Sequence, residues 1–285
     1  MNIGFLDHHL NNYHANKFHG ILTGPIGAEA GAVIVGAWES DADGDDWCAA
    51  KSVKRMGSAA EVVASSDALI IMAPDNPETH LALGAEALAS GKPILFDKSL
   101  AADVADSREI HRLAAMHGTP VMAASSLRFS AELEDLVKSI GGRPVDGVFS
   151  RGFHDWRGYA THTLHPALRL LDEPVVRVID TGAGPVRLVT LETAGGRRAF
   201  IDHRLSENEF EATPWQVGAL VDGNYETRTV AEFDKFYENL IIEALRFFKT
   251  RESPVPAWQQ IQQVAIELAA EESRAAGGVW VDVEV

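Results

Sequence analysis

The chain has a single cysteine, Cys48, among its 285 residues. No internal disulfide can form and no cysteine-built metal centre is possible. Positive charge is also scarce: 25 Lys and Arg stand against 41 Asp and Glu, a net charge of −16. The densest basic run, GGRR at 195–198, reads as a turn. An acidic chain without a basic patch is repelled by phosphate backbones and anionic lipid, which argues against nucleic acid or membrane partners. No apolar run reaches the ~20 residues of a membrane helix, and no basic segment followed by an apolar one opens the chain. No secretory signal is read, and a cytoplasmic location is expected. Internal repeats, low-complexity segments, an H-E-x-x-H pair and a hydrolase nucleophile elbow are also missing.

What is present is an ordinary globular composition, 46% hydrophobic and 23% charged, with length enough for two domains. The first 125 residues alternate between short apolar runs and helical patterns. NIGFL (2–6), AVIVGAW (32–38), ALIIMA (68–73), PILFD (93–97) and PVMAAS (120–125) read as strands. Continuous apolar runs such as ALIIMA suit strands covered on both faces. Helices are expected over 13–22, 58–66, 77–91 and 105–118, with Ser58 and Glu61 forming a capping-box pattern. Strand and helix alternating at this spacing build a doubly wound, Rossmann-like parallel sheet whose ligand crevice lies at the strands' carboxyl ends. Asp7, Glu39, Pro74–Asn76 and Asp97–Lys98 fall at such ends.

The second half differs. Helices are expected over 130–140 and 163–174, a strand over 145–153, and then five closely spaced strand-like stretches between 175 and 230. Two helices (232–251 and 257–277) and a terminal strand follow. This predicts an α+β domain with an open, mainly antiparallel sheet. The boundary falls near Ser125–Ser130, giving domains 1–125 and 126–285.

Glycine is absent where a dinucleotide fold needs it most. A G-x-G-x-x-G turn uses its glycines for a tight turn, for close approach of backbone to pyrophosphate and for helix–strand packing. Here those positions are Asp7, His9 and Asn12. A carboxylate ~5 Å from a phosphate charge, at an effective dielectric of ~20, repels it by roughly 3 kcal/mol, about a hundredfold in affinity. Asn12 is the mildest change, because asparagine tolerates left-handed backbone. A protonated His8, His9 or His14 would partly offset Asp7. Glu39 stands where an acidic residue holds a ribose hydroxyl, though ~30 residues rather than ~20 beyond the turn. Asp7, His8, His9 and His14 also suggest metal ligands, but adjacent histidines on an extended segment point to opposite faces. No metal centre is expected.

The segment 73–130 resembles the glucose–fructose oxidoreductase/inositol dehydrogenase (Gfo/Idh/MocA) family. The likeness rests on Pro74, Asn76 and His80, on Ser90-Gly91-Lys92, on Asp97-Lys98-Ser99-Leu100-Ala101, on Gly118-Thr119-Pro120 and on Leu127-Arg128-Phe129, in the family's order and spacing. The C-terminal stretch 253–281 is similar to the family's closing helix and strand. The resemblance implies a lysine at Lys98 that touches substrate hydroxyl and nicotinamide ribose, with Pro74, Asn76 and Asp97 beside the cofactor. Buried at a strand end, such a lysine loses basicity and can relay a proton. The family's D-x-x-x-H-x-x-D element places its catalytic histidine at His162, with Gly158 and His165 where the carboxylates would be. Arg128, the family's arginine, would meet a substrate carboxylate or phosphate or tie the last strand to the second domain. His165 is a further candidate for substrate.

The resemblance implies an NAD- or NADP-dependent oxidoreductase acting on a sugar, polyol or related small hydroxy compound, assembled as a homodimer or homotetramer. Two alternatives stay open because the glycines and carboxylates are replaced: a non-redox binding or regulatory protein, and a cofactor-independent lyase or isomerase on the same fold.

Overall fold

The computed structural model describes residues 1–42, 44, 46–206 and 214–285. The chain forms two compact units, Met1–Ala124 with Leu240–Gln260, and Ser125–Asn239 with Ile261–Val285.

The first unit opens with β1 (Asn2–Asp7), α1 (Tyr13–Thr23), α2 (Pro25–Ala30) and β2 (Val33–Glu39). It continues through α3 (Trp47–Lys51), α4 (Ala59–Ser65), β3 (Ala68–Ile71), α5 (His80–Leu88), β4 (Ile94–Asp97), α6 (Val104–His117) and β5 (Val121–Ala124). The five strands form one parallel sheet in the order β2-β1-β3-β4-β5. Every residue of β3, β4 and β5 is buried, as strands covered on both faces require. Local chemistry sets the helix ends. Ser58 accepts the Glu61 amide at the start of α4, Asp103 accepts that of Asp106 at the start of α6, and α6 stops at left-handed Gly118. Strand order reverses between β1 and β3, so the crevice of this architecture opens at their carboxyl ends.

The second unit contains α7 (Ala131–Ile140), β6 (Gly147–Phe153), α8 (Trp156–Leu171), β7 (Val175–Asp180), β8 (Val186–Thr193), β9 (Arg198–Arg204), β10 (Gln216–Val221) and β11 (Asn224–Thr229). Helices α9 (Phe233–Thr250) and α10 (Ala257–Ala275) and the short β12 (Val281–Asp282) complete the chain. The sheet runs β11-β10-β6-β9-β8-β7-β12, antiparallel except for the parallel β6–β9 pair. Its inner face, with Val148, Val178, Val189, Leu191, Ile201 and Val217, packs on Leu133 and Leu136 of α7, on Leu164 and Leu168 of α8 and on Ile266 of α10.

Helix α8 begins at Trp156, seven residues before the expected start at 163. Asp155 caps it by accepting the Gly158 amide, and residues 160–168 are all buried. A helix buried all round has no apolar stripe to reveal it. The terminal strand pairs with β7 through Val281 and Asp282, and the Val283 amide donates to the Val176 carbonyl.

One ion pair lies within this second core. Arg187 Nε donates to Asp180 Oδ2 at 2.7 Å, Arg187 Nη2 donates to the Ala270 carbonyl, and the guanidinium sits 4.2 Å from the Trp156 ring centre. Both partners are buried. Arg187→Ala removes the nearer of two guanidinium partners of buried Asp180, leaving Arg274 at 3.7 Å, and is expected to lower stability by about 3 kcal/mol, read from urea unfolding midpoints.

Candidate active site

The carboxyl edge of the parallel sheet is organised by Asp7, which is fully buried. Its Oδ1 accepts the amides of His8 (2.7 Å), His9 (3.3 Å) and Ala73 (2.9 Å), and its Oδ2 accepts Asn12 Nδ2 at 2.8 Å. One side chain thus closes its own βα turn in Asx fashion and joins the ends of β1 and β3 across the point of strand reversal. Burial raises the carboxyl to about 7, against the hydrogen bonds from Asn12, Ala73 and His8 that lower it. The full charge anticipated from the sequence is therefore a buried carboxyl whose pKa is pushed up to about 7, and the anticipated repulsion of phosphate is correspondingly smaller.

Glu39 is also engaged. Its Oε2 accepts the Leu10 amide at 2.8 Å and its Oε1 takes Arg55 Nη1 at 2.7 Å. Arg55 reaches it because its backbone bridges to Ala37 of β2, and a second guanidinium nitrogen holds Asp46. The amides of His8, His9 and Leu10, which in this architecture would face a diphosphate, are thus met by Asp7 and Glu39. Asn12 caps α1 by accepting the Ala15 amide at 2.9 Å and also donates to the His9 carbonyl.

The histidines of the turn divide. His14 Nδ1 lies 2.6 Å from Asp97 Oδ2 at the end of β4, so it faces the sheet edge. His8 and His9 do not diverge as adjacent residues of a strand would: their ring centres are 4.1 Å apart. The chain bends at His8, and the two-residue alternation stops with β1. His9 Nδ1 lies 2.7 Å from the Asp41 carbonyl oxygen.

Lys98 follows β4 with φ of +59°, and Ala73 follows β3 with φ of +58°. Left-handed backbone at non-glycine residues costs about 1–2 kcal/mol each and concentrates where a fold holds a site. Lys98 is buried, with Nζ 3.4 Å from the exposed Asp75 carboxylate. Pro74 and Asn76 shape the same loop. The Asn76 carbonyl accepts the Thr79 hydroxyl, and its amide reaches Glu78. Buried His80 then ties this loop to the next, with Nε2 against the Met72 carbonyl and Nδ1 against that of Leu100.

In the second unit His162 lies on α8 with its Nδ1 2.6 Å from Ser125 Oγ. The edges of Tyr159 and Trp215 meet its ring, with centres 5.3 Å and 5.5 Å away. Trp215 fits because Gly152 of β6 has no side chain, and a Cβ there would lie 2.1 Å from the indole. His165, one turn on, is buried. Its carbonyl accepts Arg128 Nη1 at 3.2 Å, and burial and then the nearby Arg169 lower the Arg128 pKa. Of the residues the sequence singled out, the fold joins Asp7 to Asn12, joins Arg128 to the backbone of His165, and sets Asp97 and Lys98 side by side at one strand end. Sequence reasoning missed Ser125, Tyr159, Trp215 and Arg55. For Ser125 a signal existed, because it directly follows β5 at the carboxyl edge where functional groups collect.

Asp7 makes stability depend on pH. A carboxyl raised from 3.8 to about 7 on folding contributes stability that is present below pH ~4 and is lost as pH rises through ~7, on the order of 4 kcal/mol across that window. Asp7→Asn is expected to flatten this part of the stability–pH curve, as measured by denaturant unfolding from pH 4 to 8.

No protein-family model matches the sequence. A provisionally assigned oxidoreductase, YceM of Salmonella typhimurium, is 23% identical over 250 residues, spanning 81% of this chain and 76% of that one. Among solved structures, the myo-inositol dehydrogenase of Corynebacterium glutamicum superposes with a TM-score of 0.79 at 15% identity, covering 100% of this chain and 99% of the other. The myo-inositol dehydrogenase of Lactobacillus casei, in complex with NAD(H) and myo-inositol, gives 0.78 at 15% identity over 100% and 97%. Likeness of this extent at such low identity establishes the architecture: the chain has the fold of the myo-inositol dehydrogenases and related oxidoreductases.

Proposed function

We propose that the protein is an NAD- or NADP-dependent oxidoreductase acting on a polyol, sugar or related small hydroxy compound. The observation that carries this reading is Lys98: a buried amine on strained backbone at the carboxyl end of β4, the edge at which this fold type receives ligands. The Lactobacillus casei dehydrogenase with NAD(H) and myo-inositol supports the cofactor and substrate class. The first unit takes the dinucleotide-binding role and the second the substrate and oligomerisation role, a division the sequence puts at 1–125 and 126–285, with Leu240–Gln260 also packing in the first unit.

The fit to a dinucleotide is incomplete at the first turn. Asp7 and Glu39 occupy the amides of His8, His9 and Leu10, so a diphosphate there must displace a carboxylate or bind through side chains. Toward the other end of the sheet edge, Asn76, Asp97 and Lys98 supply the polar groups. A bound nicotinamide would supply the hydride acceptor. The residues of this chain then handle the proton. In the first unit the Lys98 ammonium is assigned the holding of a substrate hydroxyl oxygen, and in the second His162 is assigned the role of base that takes a hydroxyl proton as a carbinol becomes a carbonyl. Ser125 on Nδ1 fixes the orientation of the His162 imidazole. The hydroxyl thus stands in for the carboxylates missing at positions 158 and 165. Arg128 and His165 are buried nearby in the chain, with Arg128 Nη1 donating to the His165 carbonyl.

The outer face of the second sheet suits a homodimer or homotetramer. Leu188, Phe200 and Tyr225 are exposed there, and charged pairs such as Arg151–Asp202 and Arg198–Glu192 lie among them. Such a patch on an open sheet is an interaction surface. Among the described residues no helix is long and apolar enough to cross a membrane, and one buried cysteine suits the reducing cytoplasm.

A non-redox binding function is the second reading, favoured by the satisfied amides of the first turn. Fluorescence or calorimetric titration with NADH and NADPH separates the two: saturable binding supports the redox reading, and no binding at millimolar cofactor ends it. With a substrate in hand, Lys98→Ala and His162→Ala are each expected to lower kcat by roughly 10²–10⁴-fold. Ser125→Ala is expected to lower kcat less and to shift the pH–rate profile. Phe200→Glu is expected to yield a monomer in light scattering.

A further inference from the structure

We propose that His8, His9 and Asp41 form a binding site for a divalent transition-metal ion of the zinc class. One ligand atom from each of the three lies within 4.8 Å of the other two, a spread that small side-chain rotations bring to a coordination shell. His9 Nε2 and Asp41 Oδ2 are already 4.0 Å apart, and the imidazole centres of His8 and His9 are 4.1 Å apart.

The arrangement is held by backbone. Beyond the paired strands β1 and β2, the Ser40 amide donates to the Asp7 carbonyl and the Asp41 amide to the His8 carbonyl, both at 3.0 Å. The loop that carries Asp41 is thereby fastened to the turn that carries the histidines. Each ring is also anchored through its Nδ1, His8 by the Ser40 hydroxyl at 2.8 Å and His9 by the Asp41 carbonyl at 2.7 Å. The His9 Nδ1–H donates to a carbonyl oxygen, so that ring presents the lone pair of Nε2, the outer-shell pattern of histidines that bind metal, and the Ser40 hydroxyl plays the same part for His8 when it accepts from Nδ1. Two imidazoles and one carboxylate are the donor set of zinc and its neighbours rather than of calcium or magnesium.

The site also accounts for the way the turn is built. The amides of His8, His9 and Leu10 are committed to Asp7 and Glu39 and are not directed to an anion. The site offers two imidazoles and a carboxylate instead, in a chain whose net charge of −16 attracts cations. Three protein ligands leave a tetrahedral ion one open position, for which an anionic oxygen such as that of a phosphate is a suitable occupant. The metal site itself is independent of the redox reading.

The test uses the full chain without an affinity tag, stripped with a chelator, and titrates Zn²⁺ alone by calorimetry. Co²⁺ replaces Zn²⁺ for a visible absorption spectrum. One ion per chain with micromolar or tighter affinity is expected. His8→Ala and His9→Ala should each abolish that binding, and Ser40→Ala should weaken it about tenfold as an outer-shell change. His117→Ala, an exposed residue on α6, should leave it intact. Circular dichroism confirms that each variant is folded. Absence of binding below millimolar Zn²⁺, binding unchanged in His8→Ala and His9→Ala, or binding lost in His117→Ala would each overturn the site.

Discussion

The carboxylate of Asp7 bonded to the amides of its own turn is the interaction on which the first unit's functional edge depends. A βα turn at the point of strand reversal leaves several N–H groups directed at the crevice, and a buried unsatisfied amide costs about 1–3 kcal/mol. A glycine-rich turn leaves those groups for a ligand. Here Asp7 meets the amides of His8, His9 and Ala73, while Glu39 meets that of Leu10. The turn is complete without an anion, and His8 and His9 are turned outward onto the Ser40–Asp41 loop. What looked in sequence like the removal of a phosphate site is a substitution of internal acceptors for an external one.

A second substitution occurs in the other unit. The helix that carries His162 has no acidic side chain at positions 158 or 165, where the resembling family places its carboxylates. Ser125 occupies the Nδ1 side instead, and two aromatic edges confine the ring. A hydroxyl orients an imidazole but stabilises its cation less than a carboxylate would. Strain marks the same neighbourhoods: Ala73 and Lys98 are left-handed at strand ends, and His154 has φ of +86° just before the cap of α8. Non-glycine residues persist in such conformations only where surrounding contacts over-determine them.

Much of the architecture was legible in the residues. ALIIMA and PILFD announced buried parallel strands because both faces of such strands meet apolar neighbours. Ser58 and Gly118 marked helix ends because capping is a local interaction. The start of α8 was not legible, since Gly158, Thr161 and Thr163 disguise a helix whose residues 160–168 are all buried. At the site, positions were legible and partners were not: Lys98 and His162 stood out, but Ser125 is 37 residues from His162 and Arg55 is 16 from Glu39.

The sequence by itself determined the order of strands and helices, the parallel sheet followed by the mainly antiparallel one, and which residue types stand at strand ends, because periodicity, capping and turn chemistry act over a few neighbouring residues. Only the tertiary structure decided that Asp7 faces inward, that His8 and His9 converge while His14 goes to Asp97, and that a serine serves the imidazole on α8. Burial and hydrogen-bond partnership arise from the approach of distant segments. The protonation of Asp7 and the orientation of His162 follow from that approach.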